Sequence, residues 1–266
     1  MAFGNKPLAK TNEEEKKSIK ELFKPSVELE MVAGLKIGVY GRWKVGKTHF
    51  ALTAPLPIYF VDTEGSARIN AKLFPKERQE QVYVSEVINW ADKKEKKIDL
   101  MASLDAVMDS VDVLTDMILE NPDAGGTIVI DSASDIWDWL NQWLEMSADT
   151  VRTKGGNISR LEWGKANRRY TEFMYMLLRS RWNVVMTFRS FEAVSDKGQS
   201  LGYDQPKWQK NTPYWLDLIT ELKMEGTETV MKFRGDRFGR LTEDLRNPSW
   251  ESLADYLKKK SGVRIL

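Results

Sequence analysis

Gly41-Arg42-Trp43-Lys44-Val45-Gly46-Lys47-Thr48, preceded by Leu35-Lys36-Ile37-Gly38-Val39-Tyr40, is the stretch on which the reading of this chain turns. It fits G-x-x-x-x-G-K-[ST] at every fixed position. A short apolar run that reads as a strand leads into it and a helical stretch leads out, the context in which such a loop wraps phosphate. The residue types suit that chemistry: glycines let backbone N–H groups close around phosphate oxygens, Lys47 neutralises the β and γ groups, and the Thr48 hydroxyl ligates magnesium. The helix beginning there adds its positive end. Gly41 to Thr48 are therefore candidate contacts to ATP and Mg²⁺, with His49, read as a residue of the first helical turn, closing the set.

Working outward, Pro55-Leu56-Pro57 breaks the chain before Ile58-Tyr59-Phe60-Val61, a second apolar run ending in Asp62-Thr63-Glu64-Gly65. Neither run alternates and both end in polar or glycine residues, as buried parallel strands do. Thr127-Ile128-Val129-Ile130 is a third such run and ends at Asp131. A phosphate-binding loop calls for a second group on the metal, and Asp131 is the candidate, acting through water; the plain alternative is a cap on the next helix. In an open parallel sheet, groups just past the carboxyl ends of neighbouring strands line one crevice. Glu64 there is the candidate for polarising the water that attacks the γ-phosphate, with Asp62 the competing choice and loop solvation the plain one.

The rest of the chain repeats strand then helix. Between Ala102 and Glu120, Leu104, Val107, Met108, Val111, Leu114 and Ile118 recur at helical spacing, with Asp105, Asp109, Asp112, Asp116 and Glu120 on the opposite face. Ile136, Trp137, Leu140, Trp143 and Leu144 mark a second long helix, and Tyr170, Phe173, Met174, Leu177 and Leu178 a third, before a strand at Asn183 to Thr187. After a polar loop, Glu221 to Met224 and Thr229 to Arg234 read as two strands turning at Gly226, and Ser249 caps a last helix. The fold class expected is α/β: a three-layer core on a mostly parallel sheet with a C-terminal antiparallel hairpin. Residues 1–30, charged and with only a short helix expected from Glu13 to Leu22, read as an extension; 31–266 read as one domain.

Composition narrows the chemistry. The 266 residues, 42% of them hydrophobic, fit a single domain with a sizeable core. With no cysteine, a disulfide scaffold, a thiolate metal site and a cysteine nucleophile are excluded, and one histidine argues against a multi-histidine metal centre or a Ser-His-Asp triad. No apolar run has the ~18 residues of a membrane helix, and the charged start lacks the apolar stretch of a signal peptide, so a cytoplasmic protein with no membrane partner is expected. The net charge of +1 hides an imbalance. Met101 to Thr150 carry eleven acidic and no Lys or Arg residues, whereas Val151 to Arg189 carry nine Lys or Arg against two Glu.

The order of the motif at Gly41 to Thr48, the strand ending Asp62-Thr63-Glu64-Gly65, and Ile128-Val129-Ile130-Asp131-Ser132 resembles the RecA-like P-loop ATPase core. Lys232-Phe233-Arg234-Gly235 is similar to the Lys-x-Arg finger of replicative helicases and of clock-type ATPases. The likeness is greatest to the compact RecA-like ATPases of phages associated with single-strand annealing and recombination, in which Ala54 to Gly65 has a similar counterpart; a virus-encoded protein is expected on that ground. The resemblance implies ATP hydrolysis between subunits of a ring or filament. Lys47, Thr48, Glu64 and Asp131 would serve one nucleotide, and Lys232 and Arg234, or nearby Arg237 and Arg240, the next. The alternative for Lys232 and Arg234 is the solvent face of an edge strand. Where RecA relatives usually carry a polar sensor, often glutamine, this chain has Thr187 or Arg189.

The resemblance also gives the basic block a role. The loops after the third and fourth core strands, here Arg152 to Arg169 and Phe191 to Asn211, would face single-stranded DNA. Arg152, Lys154, Arg160, Lys207 and Lys210 would meet phosphates, and Trp208 would stack on a base. A solvated helix face paired with the acidic stretch is the competing reading. The partners implied are single-stranded DNA, further copies of the chain and a single-strand-binding protein; the function implied is recombination or strand annealing. A helicase- or packaging-type motor and a nucleotide-gated scaffold with slow hydrolysis are the alternatives.

Overall fold

The computed structural model describes residues 34–265 apart from 96, 122, 123, 148, 149, 180, 181, 196, 240, 263 and 264. The helix expected at Glu13 to Leu22 and the alternative finger residue Arg240 lie outside them. In chain order come β1 (Lys36–Gly41), α1 (Lys47–Ala51), β2 (Ile58–Asp62), the short helices α2 (Ala67–Ala71) and α3 (Lys76–Gln79), β3 (Val82–Glu86), and a small hairpin of β4 (Trp90–Asp92) and β5 (Lys97–Ile98). Then follow α4 (Leu100–Glu120), β6 (Thr127–Asp131), α5 (Ala133–Met146), α6 (Arg160–Arg179), β7 (Asn183–Val194), β8 (Ser200–Pro206), β9 (Leu218–Glu225), β10 (Glu228–Asp236), β11 (Leu245–Arg246) and α7 (Trp250–Ser261).

The described strands form one large sheet in the order β11-β10-β9-β1-β7-β6-β2-β3, with β8 hydrogen-bonded to β7. From β9 to β3 every neighbour is parallel, and β10, β11 and β8 are antiparallel to theirs. Both faces are covered, so the central strands are apolar on both sides. Ile128, Ile130, Val184, Met186 and Phe188 pack with α4, α5 and α6, while Ile37, Val39, Val129 and Val185 pack with α1 and α7. These are the expected three layers.

Local sequence accounts for the elements. In α4 the Asp99 side chain accepts from Ala102 N, Leu104, Val107, Val111, Leu114 and Ile118 are buried, and the five acidic residues of the opposite face are exposed. Ser249 and Ser252 form a reciprocal cap at the start of α7. Gly226, with φ of 64°, makes the turn between β9 and β10.

Two segments differ from expectation, and both fall where DNA loops were placed. β7 runs twelve residues rather than ending at Thr187, and its outer half pairs with β8 from Ser190↔Pro206 onward, forming a hairpin in place of the polar loop after Phe191. Its turn holds Gly198 with φ of 75°, which only a short turn needs. The stretch from Arg160 to Arg169 is likewise the first half of α6 rather than loop. The strand β3, whose Val-Tyr-Val alternates beside β2, was also missed.

Candidate nucleotide-binding site

Register brings the predicted residues together. Asp62 and Asp131 are cross-strand partners on β2 and β6, Val39 faces Thr187, and Gly41 faces Arg189. A crevice of about 1160 Å³ opens at these strand ends, lined by the 41–49 segment, Glu64, Asp135 and Arg189 among others.

In the loop itself, Gly46 is left-handed, with φ of 92°, and a side chain at Gly41 would run into the Leu222 carbonyl oxygen. Both fixed glycines therefore have a steric reason. Val45 is buried, whereas Arg42, Trp43 and Lys44 are exposed, and His49 stacks on Phe74 at 4.9 Å. α1 is only five residues long, so the helix-end contribution expected at the loop is a short one.

Lys47 Nζ donates to the carbonyls of Gly41 and Arg42, each at 2.9 Å. Burial lowers its pKa, opposed by the carboxylates of Asp131 and Glu64. The Thr48 hydroxyl donates to Asp131 Oδ2 at 2.6 Å, and the Thr187 hydroxyl donates to Asp131 Oδ1. Asp131 is 1% exposed and forms no ion pair among the described residues. Burial pushes its carboxyl up to about 6, against the pull of the two hydroxyls. A buried carboxylate lacking a cationic side chain, in contact with the Thr48 hydroxyl, is a donor set that suits magnesium. Thr187, one of the two sensor candidates, is thereby bound to Asp131.

Asp62 and Glu64 stand in different surroundings. Asp62 is buried and its oxygens accept from four backbone N–H groups, those of Glu64, Gly65, Ser66 and Ala67, at 2.8 to 3.3 Å. It shapes the turn. Thr63 ties that turn to the β6–α5 junction, donating to Asp135 Oδ2 and accepting from Ser132 N, both at 2.7 Å. Glu64 is left facing the crevice, where Arg189 Nε donates to its Oε1 at 3.0 Å. Arg189 also pairs with Asp135, 2.7 Å from Oδ1. Asp135 was missed, although a carboxylate in the first turn of the helix that follows Asp131 was the available signal.

Lys232 and Arg234 do not line the crevice of their own chain. Lys232 pairs with Glu225 and Asp244, and Arg234 Nε donates to Glu221 Oε2 at 2.8 Å. Arg237 pairs with Asp217.

Of the predicted DNA residues, Arg152, Lys154, Arg160, Lys207 and Lys210 are exposed. Arg152 donates to the Glu145 and Gly156 carbonyls, and Lys207 pairs with Asp138 at 2.6 Å. Gln209 Nε2 donates to Asn167 Oδ1 at 2.8 Å, which joins the two basic segments. The half-buried Trp208 ring packs against Tyr40 and Phe188, with ring centroids 6.3 and 5.2 Å apart. Ion pairs to the acidic stretch join Arg169 to Asp105, between α6 and α4, Arg189 to Asp135 and Lys207 to Asp138.

Comparison with curated proteins finds no match. Among solved structures, the chain is similar to a prototypical ATPase from the type III secretion system of pathogenic bacteria, at 12% identity over 72% of this chain, with a TM-score of 0.44; it spans about half of that chain, 52%. It is also similar to the RadB recombinase, at 15% identity over 80% of this chain and 86% of that one, with a TM-score of 0.48. The AAA_24 family model, an AAA domain, matches residues 33–248, and a match over that much of the chain, with the phosphate-binding loop and Asp131 inside it, means that the protein belongs to the AAA_24 family.

Proposed function

We propose that the protein is a RecA-like ATPase that converts ATP and water to ADP and phosphate between subunits of a homo-oligomer and acts on single-stranded DNA in recombination or strand annealing. The observation that carries the reading is the convergence of Lys47, Thr48 and Glu64 on one crevice, with the buried Asp131 in direct contact with Thr48.

Each residue has a part. Lys47 exchanges the carbonyls of Gly41 and Arg42 for phosphate oxygens. Thr48 and Asp131 would hold Mg²⁺, which would offset charge on the phosphates. Glu64 orients a water for in-line attack on the γ-phosphorus; the bond to the β–γ bridging oxygen breaks, and the water's proton passes to the carboxylate or to phosphate. Lys232 is the better candidate of the two finger residues for reaching a neighbour's nucleotide. Its partners Glu225 and Asp244 are exposed, whereas Arg234 shares with Lys223 the neutralisation of Glu221, which is 1% exposed.

The basic segments joined by Gln209 and Asn167 support one surface for the DNA backbone, through Arg152, Lys154, Arg160, Lys207 and Lys210. The test is binding of a fluorescent oligonucleotide by anisotropy, with and without a slowly hydrolysed ATP analogue. Tighter binding with the analogue, weakened by Lys154→Glu with Arg160→Glu and steeply salt-dependent, is expected. Nucleotide-independent binding that ignores those charges would count against a DNA-coupled ATPase and favour the scaffold.

A further inference from the structure

The geometry points to Arg189 as a positioning residue that clamps Glu64 in the nucleotide-free chain, with the β7–β8 hairpin as the lever that carries the clamp. The proposal rests on the ATPase reading above.

Arg189 stands where β7 leaves the parallel sheet. Its backbone is fixed on every side: it faces Gly41 across β1, its N–H donates to Ser134 Oγ at 3.0 Å, and its carbonyl accepts from Lys207 N at 2.8 Å. The side chain bridges two carboxylates of different character. Asp135 is 10% exposed, sits in the first turn of α5 and is held by Thr63, whereas the Glu64 side chain is 32% exposed at the crevice. The more solvated pair is the one that yields first, so the guanidinium pivots on Asp135 and releases Glu64.

Two consequences follow. The guanidinium on Oε1 occupies a lone pair that would otherwise accept from water, so the clamped Glu64 is held from positioning water. An anion placed against Lys47 competes for the same guanidinium, because Lys47, Glu64 and Arg189 line one crevice. The hairpin registers the exchange at both strands. β7 carries Arg189, and Asp204 on β8 accepts two hydrogen bonds from Arg42 of the phosphate-binding loop, at 2.8 and 2.9 Å. What pulls Arg189 from Glu64 therefore moves an element tied at a second point to the loop whose carbonyls hold Lys47.

The test has two arms. Amide hydrogen exchange over residues 187–206 is followed in the nucleotide-free protein, with thermal melting to verify folding. Arg189→Gln and Glu64→Gln should each speed exchange there, and Arg189→Lys should restore part of the protection. In the second arm, Arg189→Gln should raise basal kcat about 5-fold with KM little changed, the factor that about 1 kcal/mol of ion pairing represents. Glu64→Gln should remove turnover. Unchanged exchange in either Gln variant overturns the clamp, as does a basal kcat in Arg189→Gln equal to or below wild type. Should wild type show no ATPase, the ATPase reading fails and the exchange arm alone decides the clamp. Should Arg189→Gln not fold, Glu64→Gln and Arg189→Lys decide by exchange.

Discussion

Asp62 and Glu64 are two residues apart, carry the same group, and do different work because of what surrounds each. Asp62 meets four N–H donors in a buried turn; Glu64 meets one guanidinium at the mouth of a crevice. Asp62→Ala should therefore cost about 2–4 kcal/mol, from several orphaned donors, while Glu64→Gln stays within about 1 kcal/mol, both read by urea denaturation. Asp131 makes a pH prediction. Its carboxyl is raised from an ordinary value near 3.8 to about 6 by burial, so folding favours the protonated form. Its stabilising contribution is full below pH 4 and is lost as pH rises through 6. Over that window the metal-free protein should lose on the order of 3 kcal/mol relative to Asp131→Asn, seen as converging and then crossing melting curves. Magnesium with nucleotide should stabilise the wild type more at pH 7.5 than at pH 5. The loop motif, Asp131 and Glu64 were legible in the sequence because each stands at the end of a strand that betrays itself by apolar residues. Asp135, Thr63 and Arg189 were not paired in that reading, since register between β2, β6 and β7 decides those contacts and no single segment encodes it.

At the scale of elements, α4 was legible almost to its ends. An apolar stripe and an acidic stripe repeat at one period from Leu104 to Glu120; the structure adds the start, where Asp99 caps a helix that begins at Leu100, two residues before the expected Ala102. Leu104→Ala on the buried stripe should destabilise by about 2–5 kcal/mol in urea, whereas Asp112→Ala on the exposed stripe should change stability by less than about 0.5 kcal/mol. The β7–β8 hairpin was illegible for a physical reason. Its outward residues Phe191, Val194, Leu201 and Tyr203 are exposed and interleaved with charged and glycine residues, so no buried face imposes the alternation by which a strand is recognised. α6 extended into a supposed loop because Trp163 and Ala166 pack while Arg160, Lys165 and Arg168 remain on the solvent side, a helical pattern that the charge count obscured.

Across the whole molecule, the near-neutral charge is a cancellation arranged in space. The acidic stripe of α4 faces solvent and touches α6 through Asp105 and Arg169, while the crevice sets Glu64 and Asp135 beside two cations, Lys47 and Arg189, with the buried Asp131 behind Thr48. On the proposed reading, its loop N–H groups, Lys47 and magnesium would make this crevice a phosphate site. The most direct test is ATP binding by calorimetry and magnesium-dependent phosphate release, each measured on wild type, Lys47→Ala and Glu64→Gln. The expected pattern is turnover by wild type, neither binding nor turnover by Lys47→Ala, and binding without turnover by Glu64→Gln. Phosphate release by Lys47→Ala at the wild-type rate would contradict it.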